Sequence, residues 1–242
     1  MKGIIVIPAY NEAGNIGIVL RRLRDSGLPE DLLVVDDGSS DGTRDVLERE
    51  AVRFIRHPLN LGYVRALQTG LRYASQHDYD YLVFMDADGQ HNPAYVADLK
   101  ARGLVDGGPD IVIGSRFVGG ARYDAPLGRR LGMLFFSWLT GVVGTKRIHD
   151  TTSGFKLLRR RAFDIVIDQI LGDFHAEMII YSLLAGLRIE EVPVLVGQRR
   201  HGVSMYNWFS SLVYPLKTLI AISVLWVEVR RRRREVPVAP MA

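Results

Sequence analysis

Along the first part of the chain, short runs of β-branched and aliphatic residues alternate with longer stretches in which apolar side chains recur every three to four positions. Strand-like runs lie at Ile4–Ile7, Leu32–Val35, Arg53–Ile55, Tyr81–Met85 and Ile111–Ile113. Ile16, Val19, Leu20 and Leu23 share one helical face, Val64, Leu67 and Leu71 share another, and Thr43 to Glu50 supplies a further short helix. This rhythm predicts an α/β fold of repeated βα units, with a mostly parallel, Rossmann-like sheet flanked by helices. Every strand of such a sheet is expected to point the same way, so the loops that follow strands gather at one edge, where α/β proteins bind ligands. A length of 242 residues suits one such domain with a short appendage.

Beyond Gly114 the rhythm changes. A Gly- and Arg-rich segment, Ser115 to Arg122, precedes an apolar helix from Leu127 to Val143, helical stretches at Ala162–Ile170 and Ala176–Ala185, and a strand at Glu190–Val196. Hydrophobic residues make up 48% of the chain, enough to cover both faces of a sheet. Cysteine is absent, which excludes disulfides and thiolate chemistry and agrees with a reducing compartment. The apolar run at the N-terminus is too short for a signal peptide and stops at Pro8, so it reads as a first strand and the cytoplasm as the expected location.

The loops expected at the shared edge are rich in carboxylates. They read Pro8-Ala9-Tyr10-Asn11-Glu12 after the first strand, Asp36-Asp37-Gly38-Ser39-Ser40-Asp41-Gly42 after the second, and Asp86-Ala87-Asp88-Gly89-Gln90-His91 after the fourth. Asp86, Asp88 and Gln90 can converge on one cation if the loop turns at Gly89, and these hard oxygen donors suit Mg2+ or Mn2+ rather than zinc. Two aspartates at this spacing are also common in plain turns. Glu12 and Asp37 on the same rim tip the balance, because gathered carboxylates repel unless something positive sits among them. A metal-bound phosphoanhydride meets that need. Asp37 is placed to accept a hydrogen bond from a nucleobase or a ribose hydroxyl, with Ser40 and Asp41 left to cap the helix that begins near Thr43. No G-x-G-x-x-G follows the first strand, which disfavours a dinucleotide site.

In this order, the motifs from Ile5 to Glu12, Val34 to Thr43, Asn60-Leu61-Gly62 and Met85 to His91, followed by Ile113 to Phe117, Arg129-Arg130 and Thr152-Ser153-Gly154-Phe155, resemble the inverting GT-A glycosyltransferases of family 2. Within that family they are most similar to the dolichol- or polyprenol-phosphate mannosyltransferases. The resemblance implies that Pro8, Tyr10, Glu12 and Asp37 hold the nucleoside of a GDP- or UDP-linked sugar, and that Asp86, Asp88 and Gln90 hold the metal. It further implies that Arg116 and Arg130 contact donor or acceptor phosphate, with Asp88, Arg116 and Arg130 forming the catalytic set. Guanidinium forks suit that task. Arg129 stands between a ligand contact and a solvated surface residue.

Family members that act on sugar hydroxyls often carry a Glu-Asp pair for the base and a later Gln-x-x-Arg-Trp motif, and neither stands in the second half of this chain. Gly172-Asp173-Phe174-His175-Ala176-Glu177-Met178 stands in their place. A lipid phosphate is already anionic and needs no general base, whereas a hydroxyl does. The implied reaction is therefore transfer of a hexose, of mannose or glucose type, to a polyprenyl or dolichyl phosphate. With a hydroxyl of a glycan or glycolipid as acceptor, Asp173 or Glu177 would be the base. A reading of another class, a non-catalytic nucleotide-sugar binding subunit, has no need of the full acidic and basic set.

The catalytic domain is expected to span residues 1–204 and an apolar, basic tail residues 205–242. In the tail, Thr218–Val227 is too short to cross a bilayer, for which ~20 apolar residues are needed. Trp208, Phe209, Tyr214 and Trp226 are interfacial residue types, and Arg230–Arg234 would attract anionic lipid at ~1 kcal/mol per basic residue. The tail is thus expected to lie as an amphipathic helix on the inner face of the cell membrane, the competing reading being a helix packed on the domain or on a partner. Nucleic acid is not an expected partner, since no recognition helix or stacking set accompanies the net charge of +4.

Overall fold

The computed structural model describes residues 1–119, 127–143, 147–167 and 175–197, with side chains from residue 133 onward in the second stretch. The strands are β1 (Gly3–Ala9), β2 (Asp31–Asp36), β3 (Phe54–Arg56), β4 (Tyr81–Phe84), β5 (Ile111–Ser115), β6 (Lys156–Arg159) and β7 (Ile189–Pro193). The helices are α1 (Ile16–Asp25), α2 (Thr43–Arg49), α3 (Tyr63–Gln76), α4 (Tyr95–Gly103), α5 (Leu127–Val143), α6 (Arg160–Val166) and α7 (Ala176–Leu184). The strands form one sheet in the order β3-β2-β1-β4-β6-β5-β7.

The expected alternation of strands and helices is present, with two additions and one correction. Helix α4 and strand β6 were not anticipated. Nor do all strands run one way: β6 is antiparallel to both β4 and β5, with Lys156 opposite Phe84 and Ile113. The sequence hides this strand because its apolar run is only Leu157-Leu158, set between Lys156 and Arg159. Its insertion has a geometric consequence. Parallel strands deliver their carboxyl ends to the ligand edge, whereas an antiparallel strand delivers the residues that precede it. Thr151 to Phe155 therefore arrive beside the loop that follows β4.

Both faces of the sheet are covered, which explains why β1 reads as a continuous apolar run. Ile4 and Val6 point into a core built with α3, α6 and α7, while Ile5 and Ile7 point into a second core with α1 and α4. Ile16, Val19, Leu20 and Leu23 of α1 are all buried, as their spacing predicts. Helix α3 lies so close to β1 that a Cβ at Gly70 would sit 2.3 Å from Val6 Cγ1. A methyl group there forces the helix or the buried Val6 side chain to shift. Gly70→Ala is expected to lower the unfolding free energy by about 1–3 kcal/mol, despite the better helix propensity of alanine. Urea denaturation measures this, and an unchanged or raised midpoint would contradict the close packing.

Candidate active site

Loops that follow β1 and β2 are laced together at the carboxyl edge. The chain turns at Asn11, which adopts φ 54°. Its N–H donates to Ser39 Oγ at 3.0 Å, and its Oδ1 accepts the Ser40 N–H at 2.9 Å. The Glu12 N–H donates to Thr43 Oγ1 at 2.9 Å. Asp41 accepts the N–H groups of Thr43 at 2.9 Å and Ala13 at 3.1 Å from one position before the N-cap, Gly42, while Ser40, expected to share the capping, bonds Asn11 instead. Burial alone would raise its carboxyl, but these hydrogen bonds, with that of the Thr43 hydroxyl, hold it below its ordinary value.

Of the four residues expected around a nucleoside, Tyr10 is exposed, Pro8 is buried, and Glu12 is half-buried, accepting a hydrogen bond from Asn15 Nδ2 at 2.6 Å. Asp37, expected to face a nucleoside, has partners within the protein. Its carboxylate is buried, with Oδ1 2.6 Å from His57 Nδ1 and accepting the Leu61 N–H at 2.9 Å, while Oδ2 accepts the Gly62 N–H at 2.8 Å. His57 Nε2 in turn lies 2.9 Å from Thr69 Oγ1. Asp37 thus clamps the Asn60-Leu61-Gly62 loop to the end of β2. Gly38 allows the approach: it adopts φ 71°, and a Cβ there would lie 2.4 Å from the Leu59 carbonyl carbon.

The loop after β4 presents Asp86 and Asp88, both partly exposed. Asp86 is held from two sides. Tyr63, the first residue of α3, donates its hydroxyl to Oδ1 at 3.0 Å. From the other side comes the backbone of Gly154, where a Cβ would stand 2.4 Å from Oδ2. His91 stacks on Phe155 with ring centroids 5.0 Å apart, and its Nε2 lies 4.0 Å from Asp86 Oδ2. Asp88 Oδ1 accepts the Gln90 N–H at 3.0 Å, closing the turn. Gln90, expected as a third metal ligand, donates from Nε2 to the Gly197 carbonyl at 2.9 Å and accepts the Gly197 N–H on its own carbonyl at 2.8 Å. It therefore ties the acidic loop to the segment that follows β7.

Among the described residues no cluster of three or more His, Cys, Asp or Glu gathers as a metal cage. The two carboxylates Asp86 and Asp88 instead suit a cation whose remaining ligands come from a substrate phosphate, the usual arrangement for Mg2+.

Arg116, for which the motif implied a phosphate contact, is engaged by an acid within the protein. It is nearly buried, and its Nε and Nη2 donate to the two oxygens of Asp150 at 2.8 and 2.7 Å, while Nη2 also reaches Thr152 Oγ1 at 2.7 Å. Asp150 is wholly buried; desolvation raises its carboxyl, but the hydrogen bonds and charge of Arg116 outweigh this and hold it below the usual carboxylate range. The fork pins the start of the 150–155 segment to β5, and hence Gly154 to Asp86. Glu177 lies in the first turn of α7, 3% exposed. Arg130 falls in the first turn of α5 with its side chain outside the described residues, and Asp173 lies outside them as well.

Sequence reasoning passed over Tyr63, His57 and Asp150. Nothing local marks Tyr63 or His57, but Asp150 stands just ahead of the Thr152-Ser153-Gly154-Phe155 motif, and that position was a usable sign.

The family pattern described as Glycosyl transferase family 2 matches residues 4–166, well over half of the chain. The chain is a family 2 glycosyltransferase. This glycosyltransferase is 34% identical over 218 residues to the undecaprenyl-phosphate mannosyltransferase of Micrococcus luteus, covering 84% of this chain and 87% of that one. It is 31% identical over 218 residues to the polyprenol monophosphomannose synthase of Mycolicibacterium smegmatis, covering 84% and 80%. Its fold matches glucosyl-3-phosphoglycerate synthase from Mycobacterium tuberculosis, solved with Mn2+ and UDP-glucose, at a TM-score of 0.66 and 21% identity over 91% of this chain and 78% of that one. The GT-A architecture expected from the motifs is thereby present.

The Arg116–Asp150 fork makes a stability prediction. Asp150→Asn leaves a guanidinium buried without its counter-charge and is expected to cost about 3–5 kcal/mol of unfolding free energy. Because the folded carboxyl titrates below the unfolded one, the contribution of the pair is complete above the ordinary carboxylate range and fades as pH falls through the folded value. Denaturation curves from pH 7 downward should therefore show wild type converging on the variant at the acid end. Parallel curves would refute the assignment.

Proposed function

We propose that this glycosyltransferase moves a hexose, of mannose or glucose type, from a nucleoside diphosphate sugar to a polyprenyl or dolichyl phosphate at a membrane surface. The observation that carries the reading is the held pair of rim carboxylates, Asp86 and Asp88, in a chain similar over 84% of its length to two enzymes named for mannosyl transfer involving lipid phosphates.

In this reading the edge formed by the β1 and β2 loops takes the nucleoside, with Tyr10 and Glu12 as accessible contacts, Pro8 as a wall and Asp37 acting through the Asn60–Gly62 loop that it holds. Asp86 and Asp88 would hold Mg2+ or Mn2+, with Gln90 shaping the loop and its amide oxygen available as a further ligand. The cation, when bound, neutralises charge on the diphosphate leaving group. Arg130 would contact phosphate, and Arg116 supports the site through Asp150 rather than touching substrate. An acceptor phosphate oxygen forms the new bond to the anomeric carbon from the face opposite the leaving group. The old anomeric C–O bond breaks, and its electron pair departs on the nucleoside diphosphate. The configuration inverts, and no proton need be removed from the acceptor.

A second reading, transfer to a sugar hydroxyl, would require a base such as Glu177 or Asp173. The near-complete burial of Glu177 favours the phosphate acceptor.

No helix among the described residues is long and apolar enough to cross a membrane. Helix α5 nevertheless exposes Leu134, Trp138 and Val142, 50–63% accessible and four residues apart, so they form one apolar stripe. We assign this stripe to the bilayer surface, alongside the tail of residues 205–242, which lies outside the described residues. An apolar face of this kind gains by burial at the headgroup boundary, and Trp138 is of the interfacial type.

The decisive assay offers UDP- and GDP-linked hexoses with a polyprenyl phosphate, with and without Mn2+. Product on the lipid phosphate, lost in EDTA and in Asp88→Ala, is the expected outcome; full activity in EDTA would remove the metal from the scheme. Glu177→Gln should keep activity within about tenfold, and a loss of ~10²–10⁴-fold with unchanged donor binding would transfer the case to a hydroxyl acceptor. For the membrane, Trp138→Glu should weaken sedimentation with anionic vesicles while sparing slow donor hydrolysis in solution. Intact protein that ignores such vesicles at low salt would sink the membrane assignment.

A further inference from the structure

Asp86 is the rim carboxylate whose surroundings are most fully built, and the contact that orients it comes from outside its own loop. A carboxylate at the end of a strand can turn about its last torsion, and each orientation offers a cation different lone pairs. Asp86 cannot turn freely. Its Oδ2 faces the bare Cα of Gly154, and its Oδ1 accepts the Tyr63 hydroxyl at 3.0 Å. Tyr63 is itself fixed at both ends. Its backbone follows Gly62, whose N–H is bonded to Asp37 Oδ2 at 2.8 Å, and its ring stacks on His175 with centroids 5.5 Å apart and planes inclined by 23°. His175 stands at the N-terminal boundary of α7, two residues before Glu177.

From this geometry we propose that Tyr63 is the positioning residue of the metal site, holding Asp86 in its cation-binding orientation, with the His175 ring holding Tyr63. The proposal rests on the donor-site reading above and deepens it. One phenol then connects three parts of the molecule: the Asp37-clamped loop on the nucleoside side, the carboxylate that receives the cation, and the start of α7. A partner that only orients a metal-binding carboxylate works on metal affinity rather than on nucleotide affinity. Loss of such a partner characteristically weakens the metal by about 10–100-fold.

The test is a Mn2+ titration of the full-length protein, followed by the loss of the free-ion electron paramagnetic resonance signal, with UDP and with GDP in separate arms. Tyr63→Phe keeps the ring and its stack but removes the hydroxyl. It is expected to weaken Mn2+ at least about tenfold in the nucleotide-containing arm, with metal-free nucleotide binding and the thermal midpoint close to wild type. His175→Ala, which keeps the phenol but frees its ring, should shift Mn2+ affinity in the same direction by a smaller factor. Unchanged Mn2+ affinity in folded Tyr63→Phe overturns the proposal. So does an equal loss of metal-free nucleotide binding, which would mark a general loosening of the loop. If wild type takes up no Mn2+ with either nucleotide, the donor-site reading itself falls, and the role of Tyr63 with it.

Discussion

The carboxylate of Asp86 occupies space that a side chain at residue 154 would need, and the two segments can meet only because Gly154 has none. They meet because β6 enters the sheet against the direction of its neighbours, which sends the residues before it to the edge where β4 ends. Several other features serve that contact. The buried fork of Arg116 on Asp150 anchors the approach to β6. The stack of His91 on Phe155 closes it from the side of the acidic loop. Displacing any of these would let the carboxylate turn or the segment lift away, with no change in the composition of the rim.

Charge at this edge is divided by burial. Asp36, Asp37 and Asp150 lie within the protein, each with a cationic group, backbone N–H groups or both against its oxygens. Hydrogen bonds to charged groups contribute about 1.5–3 kcal/mol each, so these acids stabilise the loops that they clamp. Glu12, Asp41, Asp86 and Asp88 keep contact with solvent, and of these Asp86 and Asp88 stand together on the loop after β4. Mutual repulsion among the rim carboxylates is relieved largely inside the protein before any ligand arrives. The electrostatic demand for a cation is thus concentrated on the pair after β4.

Much of this was legible from the chain alone. The continuous apolar run Ile4–Ile7 announced a strand buried on both faces, and the spacing of Ile16, Val19, Leu20 and Leu23 announced the face of α1. The acidic loops were placed correctly because they follow strands. Strand β6 was not legible, since two leucines between basic residues carry neither the length nor the alternation of a strand. The internal partners of Arg116 and Asp37 were not legible either. A motif specifies which residue stands at a position, but whether its charge faces a ligand or a neighbour depends on partners far along the chain, such as Asp150 for Arg116 and Leu61 for Asp37.

Local order therefore determined the strands other than β6, most helices, the edge at which the loops collect and the oxygen-rich chemistry found there, because periodicity and turn residues act over a few positions. Tertiary structure alone decided which acids remain accessible, which arginine becomes an internal clamp, and that a tyrosine from α3 orients Asp86. These outcomes follow from contacts between residues 23 to 34 positions apart, brought together by parallel crossovers and one antiparallel insertion. No window of sequence long enough to show a helix or a strand contains both partners.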